Sequence, residues 1–268
     1  MENAFIFILG LFFGSFANVL VYRLNTGEPI MFSRSRCFSC GQNLKWFELI
    51  PVFSFLFLKG RCRVCGSKIS WQYPLVELAS GFLFLILYVY IPSGPSPTWT
   101  SWAIAALFFW LLFVISVYDL RHKIIPNNLV YLSTAAVALF LIIGNLDFIE
   151  NWKLLIEHFA AGIGLFAFFG GLWFISRGRW MGFGDAKMAF ALGLFLGWPE
   201  TLAAFFFSFW IGAFFGLILA FYNYKLKAKS YKLLSGTQVP FAPFIFLGGL
   251  AAYLWADAII FWYLSLLG

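Results

Sequence analysis

Eight long apolar segments constrain the fold of this chain more than any other feature. They lie near residues 3–22, 74–91, 102–118, 128–143, 158–175, 186–198, 201–224 and 241–266. Most of them reach the ~17–25 residues that an α-helix needs to cross a bilayer. The segment at 186–198 is shorter and Pro199 follows it, so we expect that helix to be tilted or to begin in a groove. The sequence predicts an all-α polytopic membrane bundle of about eight transmembrane helices.

Composition supports this fold class. Hydrophobic residues make up 62% of the chain and charged residues 11%, and the mean hydropathy is +0.88. These values exclude an ordinary soluble globular domain. The net charge of +7 is compatible with nucleic-acid binding, but in a membrane protein the positions of the cations are more informative than their sum. We expect membrane lipid as a partner and no nucleic acid.

The cations predict an orientation in the membrane. If successive loops alternate sides, one set contains every lysine and arginine except Lys153. That set comprises the loops at 23–73, 119–127, 176–187 and 225–240. Basic residues accumulate in cytoplasmic loops, so these loops are predicted to be cytoplasmic and both termini to lie outside. The first apolar segment has no basic leader region and no A-x-A-like site, so we expect a retained helix.

All four cysteines lie in a soluble segment at 23–73, predicted as an insertion between a first helix at 1–22 and a transmembrane core at 74–268. They form two C-x-x-C-G turns and are Cys37, Cys40, Cys62 and Cys65. Two such turns bring four thiolates together, as in a closed tetrahedral Zn²⁺ site. A four-sulfur site leaves no position open for water, so we assign the metal a structural role.

Two disulfides or four free thiols are the alternatives. Disulfides are disfavoured because the segment is predicted to face the reducing cytoplasm. The segment has little core of its own, so metal binding would supply much of its folding free energy. The apolar stretch between the two turns is expected to lie in the membrane interface.

Two aspartates occupy similar positions. Asp119 closes the third apolar segment and Asp185 opens the sixth, so both are predicted at the cytoplasmic edge of the membrane. Two carboxyl groups brought close together share one proton. The ionised group can then take a proton from water while the protonated group polarises a peptide carbonyl. Gly182 and Gly184 are expected to let a substrate backbone approach the acid closely.

An ordinary structural role for these aspartates is the alternative. Asp119 would pair with Arg121 or Lys123, and Asp185 with Lys187, as charged side chains at helix ends that reach toward water. Sequence spacing alone does not decide between this role and a catalytic pair.

Several stretches, in order along the chain, match a known family. They are "GSFANVLVYRL" (14–24), the two cysteine turns, "YPLVEL" (73–78), "YDLRHKIIPN" (118–127), "GFGDAK" (182–187) and "VPFAPFIFLG" (239–248). The chain resembles, nearly end to end, the prepilin peptidases, type IV leader peptidases that also N-methylate their product. The ordered set is specific, whereas G-x-G-D alone would also fit presenilin-like proteases. Two departures, Asn25 where proline is common and Ala242 where glycine is common, are expected to leave the acids untouched.

The resemblance implies an aspartic peptidase of the bacterial inner membrane. Such enzymes remove the basic leader of type IV prepilins or type II secretion pseudopilins after a glycine, on the cytoplasmic side of the substrate's hydrophobic helix. The family's catalytic aspartates fall on Asp119 and Asp185, in agreement with the predicted topology. Bifunctional members then methylate the new N-terminal amine with S-adenosylmethionine. This second activity and its methyl donor are implied by the resemblance alone.

Two polar residues inside apolar segments are candidates for the methylation site. Asn18 lies in "GSFANV" and Glu77 lies near the start of the second segment. Each also has a structural interpretation: Asn18 as a packing contact between helices, and Glu77 as an ion-pair partner of Arg23.

Two other functions remain open at this point. A transporter or scaffold would use the aspartates to bind a cation or proton and the cysteine module to dock a partner. A presenilin-like protease would cut within a transmembrane helix of its substrate instead of at the cytoplasmic edge.

Overall fold

The computed structural model describes residues 1–31, 33–90, 99–144, 148–225 and 239–267. Within these ranges the regular secondary structure consists of α-helices, a short 3-10 helix (Trp46–Leu49) and two isolated β-bridges. The helices, in chain order, are α1 (Glu2–Arg23), α2 (Phe53–Phe57), α3 (Gln72–Val89), α4 (Trp99–His122), α5 (Asn127–Gly144), α6 (Phe148–Ser176), α7 (Phe183–Leu196), α8 (Glu200–Lys225) and α9 (Ala242–Leu267). Most of the predicted loops at 92–101 and 225–240 lie outside the described residues.

The long helices confirm the predicted fold class. Five of those described, α1, α3, α4, α6 and α8, are long and apolar enough to cross a membrane. Helices α5 and α9 contribute shorter apolar stretches, Asn127–Leu141 and Ala242–Ala256. Helix α7 has 14 residues, in agreement with the short sixth segment, but it begins at Phe183. Asp185 therefore lies inside the first turn of α7 and does not precede the helix.

The chain divides into two compact units, Met1–Ala106 and Leu107–Gly268, and the division falls within α4. In the first unit, α1 and α3 pack closely because glycines on α1 leave room for the α3 backbone. A Cβ atom at Gly10 would lie 2.7 Å from the carbonyl oxygen of Ser80, and one at Gly14 only 2.5 Å from the Cα of Glu77. Small residues at such contacts are typical of helix pairs in membranes.

In the second unit, α7 is buried by its neighbours because it is rich in small residues. Ala186, Ala189 and Ala191 have no exposed surface. A Cβ atom at Gly193 would lie 2.8 Å from the Ala161 carbonyl oxygen on α6. Asp185, in the first turn of α7, is buried within this unit.

Candidate functional site

Two buried aspartates meet in the second unit. Asp119 lies in the last turn of α4 and is 5% exposed, and Asp185 lies in the first turn of α7 and is 6% exposed. Their carboxyl groups are close enough to interact electrostatically. Helix packing thus brings together two acids that are far apart in the chain.

The Asp185 side chain is held by the turn that starts α7. The backbone N–H of Gly182 donates to Asp185 Oδ2 over 3.0 Å, which satisfies one of the free donors at the helix start. The other carboxyl oxygen, Oδ1, is buried and has no hydrogen-bond partner among the described residues. Leaving a buried polar atom unpaired is unfavourable, so this oxygen is available to a proton, a water molecule or a substrate.

Asp119 is contacted by the start of another helix. The backbone N–H of Ala242, the first residue of α9, donates to the Asp119 carboxylate. The expectation that Ala242 leaves the acids untouched is therefore wrong. The contact is made by a main-chain group, so no pattern of residue types could have indicated it.

The glycines at the start of α7 have a structural role. A Cβ atom at Gly184 would lie 2.7 Å from the Cβ of Ile125, in the loop between α4 and α5. Gly184 therefore lets this loop pack against the first turn of α7. At Gly182 an added Cβ would lie 3.3 Å from Asp185 Oδ2, which is a smaller conflict. The group that lies close to Gly184 is thus Ile125 of the chain itself. The sequence had suggested a substrate backbone there.

Lys187 does not form the ion pair with Asp185 that the structural alternative requires. Its Nζ atom donates to Asn127 Oδ1 over 3.0 Å and to the Tyr131 hydroxyl over 3.2 Å. It also lies 5.0 Å from the centre of the Phe183 ring. The lysine links α7 to α5 instead.

The four cysteines of the first unit form a cluster that can hold a metal ion. They are Cys37, Cys40, Cys62 and Cys65, with all four Sγ atoms within 4.8 Å of one another. The Sγ atoms of Cys37 and Cys65 are 3.9 Å apart, close to the ~3.8 Å edge of a tetrahedron with ~2.3 Å metal–sulfur bonds. The four cysteines are free, so the disulfide alternative is not formed.

The two cysteine turns repeat one geometry. The N–H of Cys37 donates to the Gln42 carbonyl over 2.9 Å, and that of Cys62 donates to the Ser67 carbonyl over 2.8 Å. The glycine after each pair has a positive φ, 72° in the first turn and 69° in the second. Residues with a side chain rarely adopt this conformation, which explains the C-x-x-C-G form of both turns.

Hydrogen bonds within the turns also shift the pKa values of the cysteine thiols. Hydrogen bonds from the backbone of Cys40 and then Ser39 lower the pKa of the Cys37 thiol to about 6, and the Ser67 hydroxyl lowers the pKa of Cys65. Gln42 acts to lower the pKa of Cys40, but lost hydration and the neighbouring sulfurs outweigh it and raise that pKa to about 11. Four thiolates repel one another, and a bound cation removes this repulsion.

The two candidates for methylation lie where α1 meets α3. Asn18 is 1% exposed. Its Nδ2 donates to the Gly14 and Tyr73 carbonyls over 3.3 Å each, while its Oδ1 is buried with no partner among the described residues. Glu77 accepts the N–H of Val52 over 2.7 Å. The suggested ion pair of Glu77 with Arg23 is wrong, because Arg23 faces Glu28 at 3.8 Å.

Two protein-family models match the chain. Residues 8–91 match the "Bacterial Peptidase A24 N-terminal domain", and residues 106–217 match the "Type IV leader peptidase family". The first range contains the four cysteines, and the second contains both aspartates. No solved structure matches the chain.

Relatives bearing the name prepilin leader peptidase/N-methyltransferase align over almost the whole chain. The protein of Bacillus subtilis (strain 168) is 34% identical over 261 residues, which is 97% of each chain. Those of Aeromonas hydrophila and Pseudomonas aeruginosa are each 30% identical, over 97% of this chain and 93% of the relative.

Proposed function

The chain belongs to the type IV leader peptidase family, and we propose that Asp119 and Asp185 are the catalytic pair with which it cleaves prepilins. It is an enzyme that removes the leader peptide and N-methylates the product. One observation carries the catalytic assignment. Both carboxyl groups are buried and interact electrostatically, and Asp185 Oδ1 has no partner among the described residues.

The pair supplies both groups that peptide hydrolysis requires. The ionised carboxylate takes a proton from a water molecule as the water oxygen bonds to the carbonyl carbon of the scissile peptide. The protonated carboxyl group donates to the carbonyl oxygen and stabilises the charge that develops there. When the C–N bond breaks, the proton taken from water passes to the leaving amine. The products are the free leader and a pilin with a new N-terminal amine.

The membrane location and the orientation of the chain determine on which side of the membrane cleavage takes place. The protein is a multi-pass membrane protein, and the distribution of its cations supports our proposal that both termini lie outside and that the aspartates lie at the cytoplasmic face of the bacterial inner membrane. Cleavage there falls beside the hydrophobic helix of the substrate. Secretion pseudopilins share this leader arrangement by family resemblance, and we include them among the substrates.

We assign Zn²⁺ to the cysteine cluster. Thiolate ligands in a tetrahedral arrangement favour Zn²⁺ over the hard cations Mg²⁺ and Ca²⁺. The four sulfurs fill the coordination shell, so the ion holds the two turns of this segment together and takes no part in the reaction. Glu77 supports the same segment from α3, because it accepts the N–H of Val52, whose φ of 63° is unfavourable for a β-branched residue.

Methylation involves the first unit in this proposal. S-adenosylmethionine supplies the methyl group when bound. Asn18 Oδ1 is a buried acceptor without a partner among the described residues, which suits an ammonium or amine group. We expect the wild type to bind a cleaved pilin peptide more tightly than the N-acetylated form of that peptide. Asn18→Leu should lose this preference and lose methylation, while cleavage and metal content are retained. Equal binding of the two peptides by the wild type would contradict this role.

The function is tested with purified wild-type protein in detergent and a full-length prepilin, with the product followed by mass spectrometry. We expect loss of the leader after a glycine and, with S-adenosylmethionine present, the addition of one methyl group. Cleavage inside the hydrophobic helix would favour the presenilin-like alternative. No cleavage of several prepilins by folded, metal-loaded protein would favour ion binding by the aspartates.

A further inference from the structure

A buried serine lies one turn before Asp119 on α4. Ser116 is 3% exposed. Its Oγ lies 2.8 Å from the Leu112 carbonyl oxygen of the same helix and 3.2 Å from the Ala242 carbonyl oxygen of α9. The first contact is common for a serine inside a helix. The second joins α4 to the first turn of α9.

The same residue of α9 contacts Asp119 through its other backbone group. Ala242 is the first residue of the helix, so its N–H has no partner within α9, and it donates to the Asp119 carboxylate. Both backbone groups of Ala242 thus face α4, the carbonyl toward Ser116 and the N–H toward Asp119. The two groups belong to the peptide units on either side of the Ala242 Cα, so a displacement of Ala242 that broke one contact would disturb the other.

We propose that Ser116 and Ala242 form a clip that orients Asp119 for peptide cleavage, with Ser116 as a positioning residue that does not touch the substrate. This inference rests on the proposed function, because it concerns the cleavage step. An aspartate can rotate about two side-chain bonds, and a misplacement of about 1 Å at a reacting group can cost ~100-fold in rate. The Ala242 N–H fixes the carboxylate, and the Ser116 hydroxyl fixes the turn that presents this N–H.

The chain offers a matched control for Ser116. Ser133 on α5 is also buried, and its Oγ donates to the Val130 carbonyl of its own helix over 2.8 Å. Replacing either serine by alanine removes one buried hydroxyl and one bond within a helix. Only the change at Ser116 also removes a contact with α9.

The test compares Ser116→Ala with Ser133→Ala in the full chain, using prepilin cleavage and methylation of a pre-cleaved pilin peptide. For Ser116→Ala we expect kcat of cleavage to fall about 10- to 100-fold with KM unchanged. Methylation and thermal stability should match those of Ser133→Ala. If Ser116 had only a structural role, its replacement would lower both activities together or neither. Wild-type kcat in Ser116→Ala would overturn the clip.

Replacement of Ala242 examines the N–H directly. Ala242→Pro removes this donor, and proline is well tolerated at the first position of a helix, whereas Ala242→Gly keeps the donor and removes only a methyl group. We expect the proline variant to lose much more kcat than the glycine variant. Equal losses would overturn the role of the N–H. If Asp119→Asn cleaves normally, the proposed function itself fails; if Asp119→Asn is inactive and Ser116→Ala is normal, only the clip fails.

Discussion

The cysteine cluster and the aspartate pair are built in opposite ways. Each cysteine turn is closed by hydrogen bonds between residues a few positions apart, such as Cys37 with Gln42. The aspartate pair depends on pieces that are distant in the chain: the end of α4, the loop after it, and the starts of α7 and α9. A local site is specified by turn chemistry, whereas a site of this second kind is specified by the packing of helices. Substitutions should therefore affect the two sites through different physical causes.

Removal of one cysteine of the cluster should have the largest effect on folding free energy. Structural zinc sites supply ~10–16 kcal/mol of binding free energy that is also folding free energy. We expect Cys62→Ser to lose the metal and to make the segment between α1 and α3 sensitive to protease, with methylation reduced more than cleavage. Metal content by mass spectrometry and limited proteolysis measure this. Ser35→Ala, in the same segment but not a ligand, is the control, and a metal-loaded, protease-resistant Cys62→Ser would contradict the account.

An added methyl group at the α7 turn should have an intermediate effect. In Gly184→Ala the new Cβ meets Ile125 at 2.7 Å, and overpacking of this kind costs ~1–3 kcal/mol. We expect cleavage to fall about tenfold, as Asp185 is displaced, with the metal content unchanged.

Two further variants test the cause of that loss. Gly182→Ala should be milder, because the nearest atom to its Cβ would be Asp185 Oδ2 at 3.3 Å. Ile125→Gly should restore part of the activity of Gly184→Ala, because it removes all three nearest atoms, including the Cβ at 2.7 Å. Additive losses in the double variant would show that the two residues are not coupled.

The smallest effect is expected at Lys187. Lys187→Met keeps the length of the side chain and removes its bonds to Asn127 and Tyr131, which are exposed and worth ~1 kcal/mol together. Cleavage should stay within about threefold of wild type. A loss as large as that of Asp185→Asn would mean that the lysine acts on the aspartate, as the structural alternative supposed.

Sequence reasoning predicted the local site more fully than the distant one. The spacing of Cys37, Cys40, Cys62 and Cys65 predicted a cluster that can hold a metal ion, because each turn is determined by its own residues. The two aspartates could be named from their positions at helix ends. The contacts around them could not be predicted, since the Ala242 N–H is a main-chain group and the Gly184–Ile125 approach depends on how a loop folds back.

Helix boundaries show the same limit. Hydropathy located the short sixth segment but started it at 186, because Asp185 interrupts the apolar pattern. In the structure α7 begins at Phe183, and the aspartate accepts a hydrogen bond from the turn that starts the helix. A polar residue that caps a helix inside a protein is read by hydropathy as lying outside it.

In the proposed function, cleavage depends on the two aspartates and methylation does not. The most direct measurement uses purified Asp119→Asn and Asp185→Asn in two assays. Each variant is incubated with a prepilin and, separately, with a pre-cleaved pilin peptide and S-adenosylmethionine, and the products are identified by mass spectrometry. We expect each variant to lose cleavage by at least about a thousandfold and still to add one methyl group to the pre-cleaved peptide. Normal cleavage by either variant, or loss of both activities in folded protein that retains its metal, would contradict the proposed function.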